Sequence, residues 1–180
     1  MQTKLRMTLM CGLPRSGKST WIKENAKNDV IVCPDRIRKL IFGHQFHKDA
    51  EDFVWAYAKG MAKLLLEQGK NVLIDATNLN YPTRDQWYRI ANSYNAKIRV
   101  VWIKTSLKEC KERNEKSPKD ERLPEKVLEG MTTIFQNPTE DNTIFIPFGE
   151  KTTKIIELPY KGNNGELGNI YSKERVDNRG

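Results

Sequence analysis

Gly12-Leu13-Pro14-Arg15-Ser16-Gly17-Lys18-Ser19-Thr20 is the stretch whose residue types and spacing speak most directly of chemistry. It fits the phosphate-cradling pattern G-x-x-x-x-G-K-[ST]. The backbone N–H groups of such a loop converge, with the positive end of the helix that follows, on one anionic group. Lys18 then reaches the β- and γ-phosphates of a nucleotide, and the Ser19 hydroxyl is a ligand for Mg2+. The whole stretch, residues 12–20, is expected to line the nucleotide. The pattern becomes a structure only between a strand and a helix. Residues 5–11 read as a buried strand and 21–27 as a helix, so both flanks are present.

Phosphoryl transfer mainly needs positioning and charge neutralisation. The metal takes oxygen ligands and completes its octahedron with waters. Asp75 closes the apolar run 71–75 and fits the acid of a Walker B strand, acting on Mg2+ through a water. A transferase also needs a group to take the proton of an acceptor hydroxyl. Asp35 is the candidate base, because it ends the second β-branched run (29–33), where the acceptor enters in such sheets. It is equally placed to be the N-cap of the helix it opens, and the two roles are compatible. Arg38, three residues on, shares its helical face and could orient the carboxylate or bind a substrate phosphate. The charged segment from 108 to 126 has the look of a lid, about 106–126, in which Arg113, Lys116 and Arg122 could fold over the transferring phosphate. Arg113, three residues from Cys110, is the one expected on the inner face.

The elements that must position these residues alternate along the chain. Strands are expected at 5–11, 29–33, 71–75, 97–103, 143–146 and 154–158, with helices between them. Alternation of this kind implies an α/β fold, a parallel β-sheet flanked by helices, with ligands at the carboxyl ends of the strands. A long helix over 49–68 is expected to bury Phe53, Ala56, Tyr57, Gly60, Met61, Leu64 and Leu65, its aromatics as core rather than as a platform for bases. Ser106 and Glu109 form a capping box for the helix that starts the lid. Residues 1–160 are read as one domain and 161–180 as a flexible tail rich in Asn, Gly and charge.

The chain has 180 residues, enough for a single packed domain. Its net charge of +8 and pI near 9.4 favour an anionic partner beyond ATP, such as nucleic acid. Cys11, Cys33 and Cys110 show no C-x-x-C spacing, and Cys11 and Cys33 read as reduced core residues. With only His44 and His47, no zinc site is expected. No run approaches the ~20 apolar residues of a membrane span. With no signal peptide apparent, a cytoplasmic location is expected, without membrane contact or an obligate protein partner.

The sequence resembles the kinase domain of the bacteriophage-type 5′-polynucleotide kinases, within the P-loop kinase superfamily. The residues that carry the likeness are 12–21, Asp35 with Arg38, Asp75-Ala76-Thr77-Asn78-Leu79-Asn80, and Arg113-Asn114. The resemblance implies a P-loop kinase fold with a short helical lid. It implies transfer of the γ-phosphate of ATP to the 5′-hydroxyl of a polynucleotide, with Mg2+. It makes Asp35 the general base, sets Arg38 on the acceptor strand, puts Lys18 on phosphates and Arg113 at the transferring group, and brings Thr77 and Asn78 beside the acceptor. Arg15 stands where glycine is frequent, and Ala76 replaces the acid that directly precedes the Thr-Asn-Leu-Asn run in the phage enzyme. No aspartate-rich phosphatase segment follows, so 3′-phosphatase activity is not expected. A small-molecule P-loop kinase, with a nucleoside, sugar or antibiotic acceptor, would use the same Asp35 and the same lid. A nucleotide-gated switch is the third reading, but the guanine-binding Asn-Lys-x-Asp motif is missing from the sequence.

Overall fold

Successive residues of β1 (Arg6–Cys11) point to opposite faces of a sheet, and both faces are buried. That is the signature of a central parallel strand covered by helices on either side. The computed structural model describes residues 5–43 and 48–141, together with the backbone of 153–159. The expected strand at 143–146, His44, His47 and the tail from 161 lie outside the described residues.

The elements run β1, α1 (Lys18–Asn25), β2 (Val30–Val32), α2 (Pro34–Phe42), α3 (Glu51–Glu67), β3 (Val72–Ile74), α4 (Tyr81–Ser93), β4 (Lys97–Lys104), α5 (Leu107–Glu115), α6 (Glu125–Thr133) and β5 (Thr153–Pro159). The sheet order is β2-β3-β1-β4-β5, every pairing parallel. In register, Leu9 of β1 lies between Ile74 of β3 and Val100 of β4.

On one face, Met7, Leu9, Cys11, Val72, Ile74 and Val100 pack against α3 and α4. On the other, Met10, Leu73, Val101 and Ile103 receive Ile22 of α1 and Ala26 at its end. A third cluster, Leu13, Leu79 and Cys110 with Leu107, Met131 and Phe135, ties α5 and α6 to the loops above the sheet. The alternation of strands and helices, and the parallel sheet it implied, are therefore found.

The long helix meets its expectation only in part, with Met61 and Leu65 packed against the core. α3 buries Val54, Ala58, Ala62 and Leu66, and it leaves Phe53, Tyr57 and Leu64 51%, 47% and 59% exposed. Both stripes have helical spacing. Small alanines let the helix backbone lie close to the sheet, so the narrow stripe faces inward and the aromatics are turned to the edge.

Candidate functional site

The glycine loop leaves β1 through a backbone that only glycine tolerates at Gly12. Its φ is +144°, and an added Cβ would sit 2.8 Å from the Ile103 carbonyl oxygen. Arg15 adopts a left-handed φ of 64°, and Gly17, also left-handed, precedes the first turn of α1. The helix thus begins at Lys18 and not at residue 21, so Lys18, Ser19 and Thr20 present their N-terminal N–H groups to the loop. Ser16 is buried, its carbonyl accepting from Thr105 Oγ1 at 2.7 Å, while Ser19 and Thr20 are exposed.

Lys18 is 9% exposed and donates to the carbonyl oxygens of Gly12 (2.9 Å) and Leu13 (2.7 Å), with Ser16 Oγ at 3.5 Å. Burial lowers its pKa from 10.5 to about 8, and the nearby Asp75 carboxylate pulls the other way. Asp75 is partly buried just past β3, its N–H donating to Val32 O at 2.9 Å. Burial raises the Asp75 carboxyl above its usual value, opposed by the Lys18 ammonium and by a hydrogen bond from Cys33. Ser19 and Asp75 are hard oxygen donors of the kind Mg2+ takes, Ser19 next to Lys18 in the chain and Asp75 close enough to influence its charge. Among the described residues no cluster of three or more His, Cys, Asp or Glu forms a metal cage.

Asp35 lies at the second position of α2, after Pro34, with Cys33 as N-cap. It is therefore not a cap, because Pro34 already occupies the first helical position, and its side chain stands 86% exposed. Its carboxylate accepts from Arg38 Nη1 at 2.5 Å. The rest of the Arg38 guanidinium forms a two-pronged pair with Glu51, Nε and Nη2 donating at 2.6 and 2.8 Å. Those hydrogen bonds from Arg38 to Glu51 hold the guanidinium pKa above its ordinary value. Glu51, the first residue of α3, was not singled out in the sequence; an acid in the first turn of a helix is too common to signal a partner on another element.

The loop after β3 is bonded to the glycine loop from below. Gly12 N–H donates to Thr77 O at 3.1 Å, and Asn78 Nδ2 donates to Met10 O at 2.8 Å. Asn78 is 2% exposed with a left-handed φ of 44°. Its side chain is buried against the end of β1, while Thr77 is half-buried. The Asn78 carbonyl accepts from Arg84 Nη1 at 2.9 Å, and Arg84, fully buried, pairs through Nε and Nη2 with Asp141 at 2.7 and 2.5 Å. Tyr88 adds its hydroxyl to Asp141 at 2.7 Å.

Arg113, in the last turn of α5, donates through Nη1 to the Arg15 carbonyl at 2.8 Å. Arg15 in turn donates through Nη2 to Glu121 O at 2.5 Å. The Ser106–Glu109 capping box starts α5 as expected, and Asn114 closes the α5–α6 connection through two bonds to the Leu123 backbone at 2.7 and 3.0 Å. Arg122 donates at 2.7 Å to Ser117 O within that connection. Loop, Lys18, Asp75 and Arg113 thus converge at the carboxyl ends of β1 and β3, with the Asp35–Arg38–Glu51 group beside them at β2.

A family model described as an AAA domain matches residues 7–138, most of the chain. A protein of Autographa californica nuclear polyhedrosis virus, described as a bifunctional polynucleotide kinase/RNA ligase, is 24% identical over 166 residues, 84% of this chain. The chain spans 24% of that relative's length. Among solved structures, a chain of the Pnkp1/Rnl/Hen1 RNA repair complex superposes with a TM-score of 0.62 at 25% identity, covering 74% of this chain and 44% of that one. The APS kinase CysC of Mycobacterium tuberculosis, solved with AMPPNP and APS, superposes with a TM-score of 0.58 at 18% identity, covering 87% and 88%.

Proposed function

The chain belongs to the AAA domain family and has the fold of the P-loop kinases, and from that premise we propose that it transfers the γ-phosphate of ATP to the 5′-hydroxyl end of a polynucleotide. One observation carries the acceptor side: the exposed Asp35 carboxylate, held by Arg38 at the carboxyl end of the sheet beside the loop that holds Lys18. The likeness to a polynucleotide kinase/RNA ligase over 84% of the chain supports the choice of polymer.

Lys18 leaves the Gly12 and Leu13 carbonyls for the β- and γ-phosphates, and the N–H groups of residues 16–20 hold the phosphate oxygens. Ser19 and, through water, Asp75 would hold Mg2+, which would offset the charge on the phosphates. Asp35 accepts the proton of the acceptor hydroxyl as its oxygen bonds to the γ-phosphorus; the bond from that phosphorus to the ADP oxygen breaks on the opposite side. Arg38 orients the Asp35 carboxylate and offers charge to the first phosphate of the acceptor strand. Thr77 lies on the loop nearest that strand, with Asn78 positioning the loop from beneath. Residues 106–126 act as the lid, and Arg113 neutralises the transferring group from above the loop.

The fold is shared with small-molecule kinases, so the acceptor is the point to test. Transfer of labelled γ-phosphate is measured to 5′-hydroxyl RNA, 5′-hydroxyl DNA, nucleosides and sugars. Preference for either oligonucleotide is the expected result. Transfer to a nucleoside or sugar alone would overturn the polymer reading and leave the kinase.

A further inference from the structure

We infer that Phe42, Phe53 and Tyr57 form a stacking platform for the bases that follow the 5′ end of the acceptor strand, an extension of the acceptor site proposed above. The inference rests on that reading and begins from three half-exposed rings. Phe42 and Phe53 meet edge to face with centroids 5.9 Å apart, and Phe53 lies stacked on Tyr57 at 6.1 Å. They are 44%, 51% and 47% exposed. Large aromatics left in water at this density mark a contact surface rather than core.

Their place says what the surface meets. Asp35, Arg38 and Phe42 stand at spacings of three and four along α2, which is one helical face. Arg38 pairs with Glu51 at the start of α3, and one turn further along α2 Phe42 meets Phe53 of α3, with Tyr57 one turn beyond Phe53. A single surface therefore runs from the proposed base, over the arginine that meets the first phosphate, to the rings. From Asp35 to Phe42 the helix advances about 10 Å, and a stacked strand advances about 3.4 Å per nucleotide, so the rings lie under about the third base. The exposed Lys39, one turn before Phe42, gives the track a charge suited to a phosphate backbone. Base-on-ring stacking is tolerant of sequence, which suits an enzyme acting on whatever end it meets. Leu64, also exposed and two turns beyond Tyr57, extends the apolar surface at its rim.

The test follows acceptor length. Wild-type protein and the variants Phe53→Leu, Tyr57→Leu and Tyr57→Phe are assayed with 5′-hydroxyl oligonucleotides of two, four and eight nucleotides. Leucine keeps apolar bulk without a π-face, and phenylalanine keeps the ring. For four and eight nucleotides the leucine variants should raise the acceptor KM about five- to a hundredfold. The dinucleotide KM, the ATP KM and the melting temperature should stay as in wild type, and Tyr57→Phe should behave as wild type. A wild-type KM that does not fall between two and four nucleotides overturns the platform and leaves the kinase reading standing. So does a leucine variant that changes sedimentation but not the KM, which would make this face an interface between copies of the chain. A wild-type protein that phosphorylates no oligonucleotide overturns the acceptor reading and the platform with it.

Discussion

Lys18 holds two carbonyls of its own loop and titrates near pH 8 because burial disfavours its charge. Phosphates entering the loop favour the charged form and raise that pKa. Nucleotide affinity should therefore fall as pH rises above about 8, with close to one proton taken up on binding at pH 9. Calorimetry in buffers of different ionisation enthalpy reads the proton directly; no uptake at pH 9 would refute the buried, depressed lysine. Lys18→Ala should abolish transfer. Asp35 makes a second separation possible. Asp35→Asn keeps the shape and loses the base, so kcat should fall about 10²–10⁴-fold with the ATP KM unchanged. Because Asp35 caps nothing and is exposed, Asp35→Ala should melt at the wild-type temperature as well. A loss of stability in the alanine variant, with activity kept in the asparagine variant, would return Asp35 to a structural role.

Elements meet through partners that lie far apart in the chain, and here the sequence was least legible. The glycine loop, the acids that follow β2 and β3, and the Ser106–Glu109 box could be read because each is a chemical pattern within a few consecutive residues. The Asp35–Arg38 pair was readable from its spacing. Arg38 with Glu51, and Arg84 with Asp141, are separated by 13 and 57 residues, and only the packed fold brings them together. The inward face of α3 was misread for a related reason: two stripes share the helical period, and which one fits depends on how closely the sheet lets a helix approach. Arg84 now carries a prediction. Arg84→Met leaves Asp141 buried without its main cation, which should cost about 3–5 kcal/mol in denaturant unfolding. The double variant Arg84→Met/Asp141→Leu should recover most of that loss, because the burial of an unpaired charge is removed. If the single variant is as stable as wild type, the network is not what fixes the loop carrying Thr77 and Asn78.

Across the whole molecule, the formal charge of +8 predicts how the acceptor binds. Each acceptor phosphate contacted should contribute about −0.7 to the slope of log affinity against log salt for a single strand. Arg38→Ala should raise the acceptor KM more than the ATP KM and make that slope shallower by about one contact. Equal effects on both substrates would argue for a small acceptor instead. No helix among the described residues is long and apolar enough to cross a membrane.

Arg15 touches the overhanging α5–α6 segment twice, its carbonyl gripped by Arg113 and its side chain gripping Glu121. In the proposed reaction a bound donor would lie beneath that double grip, and its escape would wait on both bonds parting. On the polynucleotide reading the result would be commitment: once loaded, the protein would hold its donor through the slow search for a rare polymer end instead of exchanging it at each encounter. In a pulse-chase trial, labelled ATP bound to wild type should be carried forward to product after excess cold ATP and acceptor are added. With Arg15→Ala, donor escape should speed by about three- to tenfold, and more of the label should be lost to dilution.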